Sequence, residues 1–141
     1  GHHIHWFPDS RQLSMNLGGF GEGLRFVRVD YDGSDLRPIL DHVPGSGHPS
    51  IHPCGRSLTD TYAHEDQSYG DGSIPLRWID MTTGEERKLI RMCSRVEPFE
   101  EGALRVDPHP AWDRTWRWLA FNGVQNNTRR LYLADMAGVI E

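Results

Sequence analysis

Two cysteines, Cys54 and Cys93, are all that the 141 residues offer, and they stand in no short metal-type spacing. That fits a reducing compartment better than a disulfide scaffold, so a cytoplasmic location is expected, with the oxidising periplasm as the alternative. Positive charge is scarce as well. Fifteen Lys and Arg against 20 Asp and Glu leave a net charge of −5 with histidine neutral. A nucleic-acid surface or a polybasic membrane patch needs clustered basic residues, so neither partner is expected. No apolar run approaches the ~20 residues of a membrane span. The opening residues do not read as a signal peptide. Helical patterning is missing too, since no long stretch carries an apolar stripe at helical spacing. What the chain has in excess is histidine and tryptophan, 8 and 5 respectively. Histidine is the usual metal ligand and proton shuttle near neutral pH.

Three of the histidines share one phase. His3 stands three residues before Trp6, His48 three before Ile51, and His109 three before Trp112. They are 45 and 61 residues apart. A short strand, a tight polar turn and a second strand follow each of them. The turns are Pro8-Asp9-Ser10, Pro53-Cys54-Gly55 and Arg114-Thr115-Trp116. Proline, glycine and serine suit the first two. In the third, Trp116 fills the glycine slot, where a positive φ is costly, so a turn of different shape is expected there.

A third strand ends in Asp each time: Leu24–Asp30, Leu76–Asp80 and Leu131–Asp135. Asp30, Asp80 and Asp135 are expected to cap the turns that follow, at Asp32-Gly33, Thr83-Gly84 and Ala137-Gly138. Fourth strands are expected at Leu36–Leu40 and Glu86–Ile90. Alternating, β-branched and aromatic segments between turn residues are the strand signature. Four antiparallel strands recurring at this period predict an all-β fold, a β-propeller. Blade one runs over about 1–44, blade two over about 45–103, and an incomplete blade three over about 104–141. The chain reads as part of a longer propeller whose remaining blades lie elsewhere. Trp6, Trp78 and Trp112 are expected in the core between blades.

The repeated histidines admit two readings. A Gly-His pair before an inner strand, as at Gly47-His48, fits a hydrogen-bonded scaffold. Alternatively, one imidazole per blade converges on the channel mouth, where the Asp107 carboxylate joins His3, His48 and His109 around one divalent metal or one substrate. Asp107 lies two residues from His109 on an extended segment, so both side chains can share a face. His5, His42 and His52 fall outside the repeat and read as surface or packing residues. Two long insertions open on the same face as the histidines. His64 lies in the first (63–75) and Arg105 in the second (91–106), and both are candidates to contact substrate.

The residues Gly47-His48-Pro49-Ser50, with His52-Pro53 and Gly55-Arg56, begin a recognisable pattern. Asp107-Pro108-His109-Pro110 with Trp112, then Arg129-Arg130-Leu131-Tyr132-Leu133-Ala134-Asp135, complete it. Together they resemble the oligogalacturonate lyase family, polysaccharide lyase family 22, whose repeat style is related to TolB-type propellers. The resemblance implies a seven-bladed propeller of which this chain is about three blades. It implies an enzyme that cleaves short uronate oligosaccharides from pectin by β-elimination. The family's manganese-type ion is held by histidines and a glutamine, with a further histidine as base. By resemblance His3 is the base, His48 the first metal ligand and His109 the last. Asp107 stands where the family has a histidine, and Leu104 where it has the glutamine. Two rivals are a non-catalytic TolB-like binding or assembly module and a propeller that gates a serine peptidase.

Overall fold

A computed structural model describes residues 2–61, 67–97 and 105–140. Eleven strands and one helical turn are defined among them. The first sheet is β1 (His2–Trp6), β2 (Gln12–Leu17), β3 (Arg25–Asp30) and β4 (Arg37–Pro38), paired in that order. The second is β5 (Ser50–His52), β6 (Arg56–Thr59), β7 (Ser73–Asp80) and β8 (Glu86–Cys93), again in chain order and antiparallel. The third has β9 (Ala111–Trp112), β10 (Trp118–Gln125) and β11 (Thr128–Asp135). Only the pair Val124↔Cys93 joins β10 to β8, so side chains rather than a backbone ladder hold the second and third sheets together. These sheets are blades of a β-propeller, with β5 lying beside both β1 and β9.

Two apolar clusters separate the blades. Phe26, Leu40, Val43 and Ile79 fill the space between the first and second. Leu58, Ile74, Leu76, Trp78 and Met92 meet Leu119, Phe121 and Met136 between the second and third. Each of these side chains contributes roughly 1.5–3 kcal/mol by leaving water. Trp78 is 2% exposed, and Trp112 packs against the same cluster with the two ring centroids 5.8 Å apart. Trp6 corrects the expectation of a third core tryptophan. It is 52% exposed, paired with Leu13 on a face of the first blade that no described element covers.

The turns are more alike than the sequence suggests. Ser10, Gly55 and Trp116 all have positive φ, at 57°, 82° and 59°. Each donates its amide to the residue three before it, Phe7, His52 and Asp113 respectively. Trp116 therefore adopts the glycine conformation rather than reshaping the turn. Neighbours compensate the strain. Asp113 accepts amide hydrogen bonds from Thr115, Arg117 and Trp118, contacts that, led by the Thr115 hydroxyl, hold its carboxyl down at about 2. His52 Nε2 bonds the Trp116 carbonyl at 2.9 Å from the next blade.

His52 is thus a packing residue, 6% exposed among Trp78, Trp112 and Trp116. Its Nδ1 accepts the Cys54 amide, which leaves Nε2 as the donor to Trp116. We expect His52→Ala to lower stability by about 2–4 kcal/mol, through the cavity left between the tryptophans and the lost bonds. A urea titration showing less than about 1 kcal/mol of change would remove this role.

Two further elements differ from expectation. The fourth strand of the first blade is only Arg37–Pro38, because proline has no amide to extend a ladder. Ala137-Gly138 begins a helical turn, Ala137–Ile140, not a hairpin turn. Met136, Val139 and Ile140 stand at helical spacing and all pack on the core, which a hairpin would not allow. The capping role holds for two of the three aspartates. Asp80 accepts the amides of Thr82 and Thr83, and Asp135 that of Ala137. The Asp30 carboxylate instead accepts from Gln12 Nε2, and Asp32 takes the Ser34 amide in that turn.

Candidate metal centre

The strand registers set the site. Trp6 faces Leu13, Ile51 faces Ser57, and Trp112 faces Leu119. Three residues before the first member of each pair stands a repeated histidine. Three residues after the second stand Asn16, Asp60 and Asn122. These side chains meet the loops that carry the histidines. Asn16 Nδ2 donates to the Gly47 carbonyl at 2.6 Å and lies 3.3 Å from His3 Nδ1. Asn122 Nδ2 donates to the Asp107 carbonyl at 3.4 Å, and its backbone amide to the Pro108 carbonyl at 2.8 Å.

Asp60 does more. It is 1% exposed. Its Oδ1 accepts the His48 amide at 2.6 Å, and both oxygens lie within 3.1 Å of His48 Nδ1. Its Oδ2 accepts the His109 amide at 3.0 Å, across the boundary between blades. One buried carboxylate therefore aligns two of the three repeated histidines. The contact also fixes the His48 tautomer. Nδ1 carries the proton toward Asp60, so Nε2 is the nitrogen a cation would meet. Carboxylates behind metal-binding histidines do this generally.

Gly47 makes the approach possible. Its φ is +68°, and a Cβ there would lie 2.1 Å from the Asp60 carbonyl oxygen and Oδ1. No other residue fits without moving the strand. His3 and His109 carry positive φ themselves, at 59° and 46°. Such strain in non-glycine residues gathers at functional sites.

The imidazoles lie in a short row of close, tilted contacts. The His3 and His48 ring centroids are 4.1 Å apart, and those of His48 and His109 3.7 Å. Donor atoms of His48, Asp107 and His109 all lie within 4.8 Å of one another. Two imidazoles and a carboxylate at that spacing suit a divalent cation that takes mixed nitrogen and oxygen donors, manganese and zinc among them. His3 lies beside this group and outside it. Burial holds its pKa below the ordinary 6.5, with the neighbouring His48 and His2 adding to the effect. His3 is therefore neutral at physiological pH.

Arg105 takes a different place from the one expected of a substrate contact. Its Nε lies 2.7 Å from Asp107 Oδ1, and its second terminal nitrogen 2.9 Å from Oδ2. The guanidinium thus clasps both oxygens of the carboxylate in the donor set. His64 and Leu104 lie outside the described residues. His42 is exposed, and burial lowers the pKa of the half-buried His5. Neither approaches the donor set.

Asp60 is the residue that the sequence hid. The first and third hairpins carry four residues between paired positions (8–11 and 114–117), whereas the second carries three (53–55). Counting from the histidine through the turn therefore slips Asp60 by one against Asn16 and Asn122. Counting from the paired strand residue restores it.

No family model matches the chain, and no curated protein does. Solved structures do. An oligogalacturonate lyase in complex with manganese aligns over 99% of this chain and 36% of its own, at 20% identity and a TM-score of 0.69. TolB from Acinetobacter baumannii aligns over 95% of this chain and 29% of its own, at 15% identity and a TM-score of 0.64. The chain thus spans about a third of the length of each. What it shares with both is the β-propeller fold, in the blade arrangement described above.

Proposed function

We propose that this chain forms part of a metal-dependent lyase that cleaves short uronate oligosaccharides by β-elimination. The observation that carries the reading is the convergence of His48, Asp107 and His109 within 4.8 Å, with neutral His3 packed against His48. His48, Asp107 and His109 would hold the cation, with manganese as the first choice. When bound, a divalent cation supplies positive charge beside the substrate carboxylate and stabilises the enolate-like charge of the transition state. His3 takes the proton α to that carboxylate. The electron pair it leaves forms the C4–C5 double bond as the C4 oxygen departs with its glycosidic partner. A neutral imidazole near physiological pH suits that task.

Further blades belong to the same reading. Ile4 and Trp6 on the first blade are 62% and 52% exposed, and Leu131 and Leu133 on the third are 75% and 66%. Apolar faces of this kind, at both ends of the stack, are what neighbouring blades cover. A cytoplasmic location, with the periplasm as the alternative, goes with the reading. Among the described residues no helix is long and apolar enough to cross a membrane.

A second reading keeps the fold without chemistry. It is favoured by Asp60, whose contacts would serve a scaffold equally well, and by the hold of Arg105 on Asp107. In that reading the chain is a binding or assembly module. The deciding measurement is the ultraviolet absorbance of a new C4–C5 double bond, with trigalacturonate and Mn²⁺ added to the protein. Absorbance that rises with Mn²⁺ and stops with chelator is expected. No change over hours at saturating metal would leave the module reading.

A further inference from the structure

Beside the donor set lies an open cleft of about 470 Å³. Asp107 and His109 line one side, and Arg105, Arg129, Arg130 and Asn122 line much of the rest. Arg129 and Arg130 bring two guanidinium groups to this space, and Arg105 a third that Asp107 neutralises, on a chain whose net charge is −5. Arg129 and Arg130 are exposed at the start of β11. Arginine is the side chain best shaped to grip a carboxylate, through two parallel hydrogen bonds.

We propose that this cleft is an anion subsite for a second uronate carboxylate of the substrate, and that Arg105 couples it to the cation site. The inference rests on the lyase reading above. Asp107 is the shared element. Arg105 now engages both of its oxygens, and a cation bound at His48 and His109 needs one of them. Guanidinium and metal therefore compete for one carboxylate. A cation taken by Asp107 weakens its hold on Arg105, whose guanidinium already lines the cleft and can turn its donors to an anion there. Positive coupling between cation and uronate follows, and linkage makes it reciprocal. Empty of metal, the site keeps its arginine neutralised and binds acidic sugar weakly.

Isothermal titration tests this with Mn²⁺ alone, with digalacturonate alone, and with each in the presence of the other. Methyl-esterified digalacturonate serves as the uncharged control. In the parent, Mn²⁺ should tighten digalacturonate binding by about fivefold or more and leave the ester unaffected. Arg105→Gln should bind Mn²⁺ severalfold more tightly, because the competitor is gone, and should keep only the part of the digalacturonate tightening that the cation itself supplies. The double variant Arg129→Gln, Arg130→Gln should weaken digalacturonate by about tenfold or more. Weaker or unchanged Mn²⁺ binding by Arg105→Gln would overturn the competition. Parent-like digalacturonate binding by the double variant would overturn the cleft. A parent that takes up no Mn²⁺, while the arginine pair still governs digalacturonate binding, would overturn the metal reading and the coupling but support the anion subsite. The three positions are at the surface, so circular dichroism and melting confirm that each variant is folded.

Discussion

Asp60→Ala should lower Mn²⁺ affinity about 10- to 100-fold, the usual cost of removing the group that orients a metal-binding histidine. It should also destabilise the fold by about 3 kcal/mol or more. The substitution strands three donors that Asp60 now receives: the amides of His48 and His109, and His48 Nδ1–H. Each buried donor left unmet costs roughly 1–3 kcal/mol. Asp60→Asn separates the two effects. It retains one oxygen for an amide but turns an NH₂ toward the others. We expect it to recover part of the stability while Mn²⁺ affinity stays low. Urea titration and calorimetry of both variants check this. Parent-like affinity in Asp60→Ala would show that His48 needs no orienting partner.

His48→Ala and His3→Ala should fail in different ways. In the proposed site His48 supplies a donor to the cation, so its loss should remove metal and activity together. His3 lies in the row but outside the donor set. His3→Ala should retain metal and lose turnover by roughly 10²–10⁴-fold, the range of a general base. Acid should mimic the second variant. The His3 pKa lies below 6.5, so the base is intact at neutral pH and is lost as pH falls through that lowered value. Metal analysis and the absorbance assay on both variants decide the assignment. If His48→Ala keeps its metal, the scaffold role of the Gly47-His48 pair is the right one.

The phase of the histidines was legible because hairpins impose a strict order on a chain. Strand, turn and paired strand recur at fixed distances, so a residue three before Trp6, Ile51 or Trp112 must arrive at the same level of its blade. That reasoning placed His3, His48, Asp107 and His109 together. It failed for Asp60 because one hairpin is a residue shorter, which hides a shared position from a count that starts at the histidine. It also failed at Trp116 and at Ala137–Ile140. A bulky residue is costly at positive φ, but the site is held from outside by His52. Four residues are too few to show a helical period unless Met136 is counted with them. Trp6 looked like core because it is large and apolar. Its exposure depends on what stands beside the first blade, which no local pattern reports. The grip of Arg105 on Asp107 was equally invisible, since two residues of opposite charge at i and i+2 share a face of an extended chain without being obliged to meet.

The reach of the Asp60 carboxylate to the amide of His109 makes the centre depend on how repeats are joined. Each repeat supplies its own histidine. A single copy, however, holds only half of the arrangement, because the carboxylate belongs to one repeat and an amide it fixes belongs to the next. The centre is therefore a property of the join between repeats. One blade moved alone into another propeller would not carry it along, because the amide of His109 would stay behind.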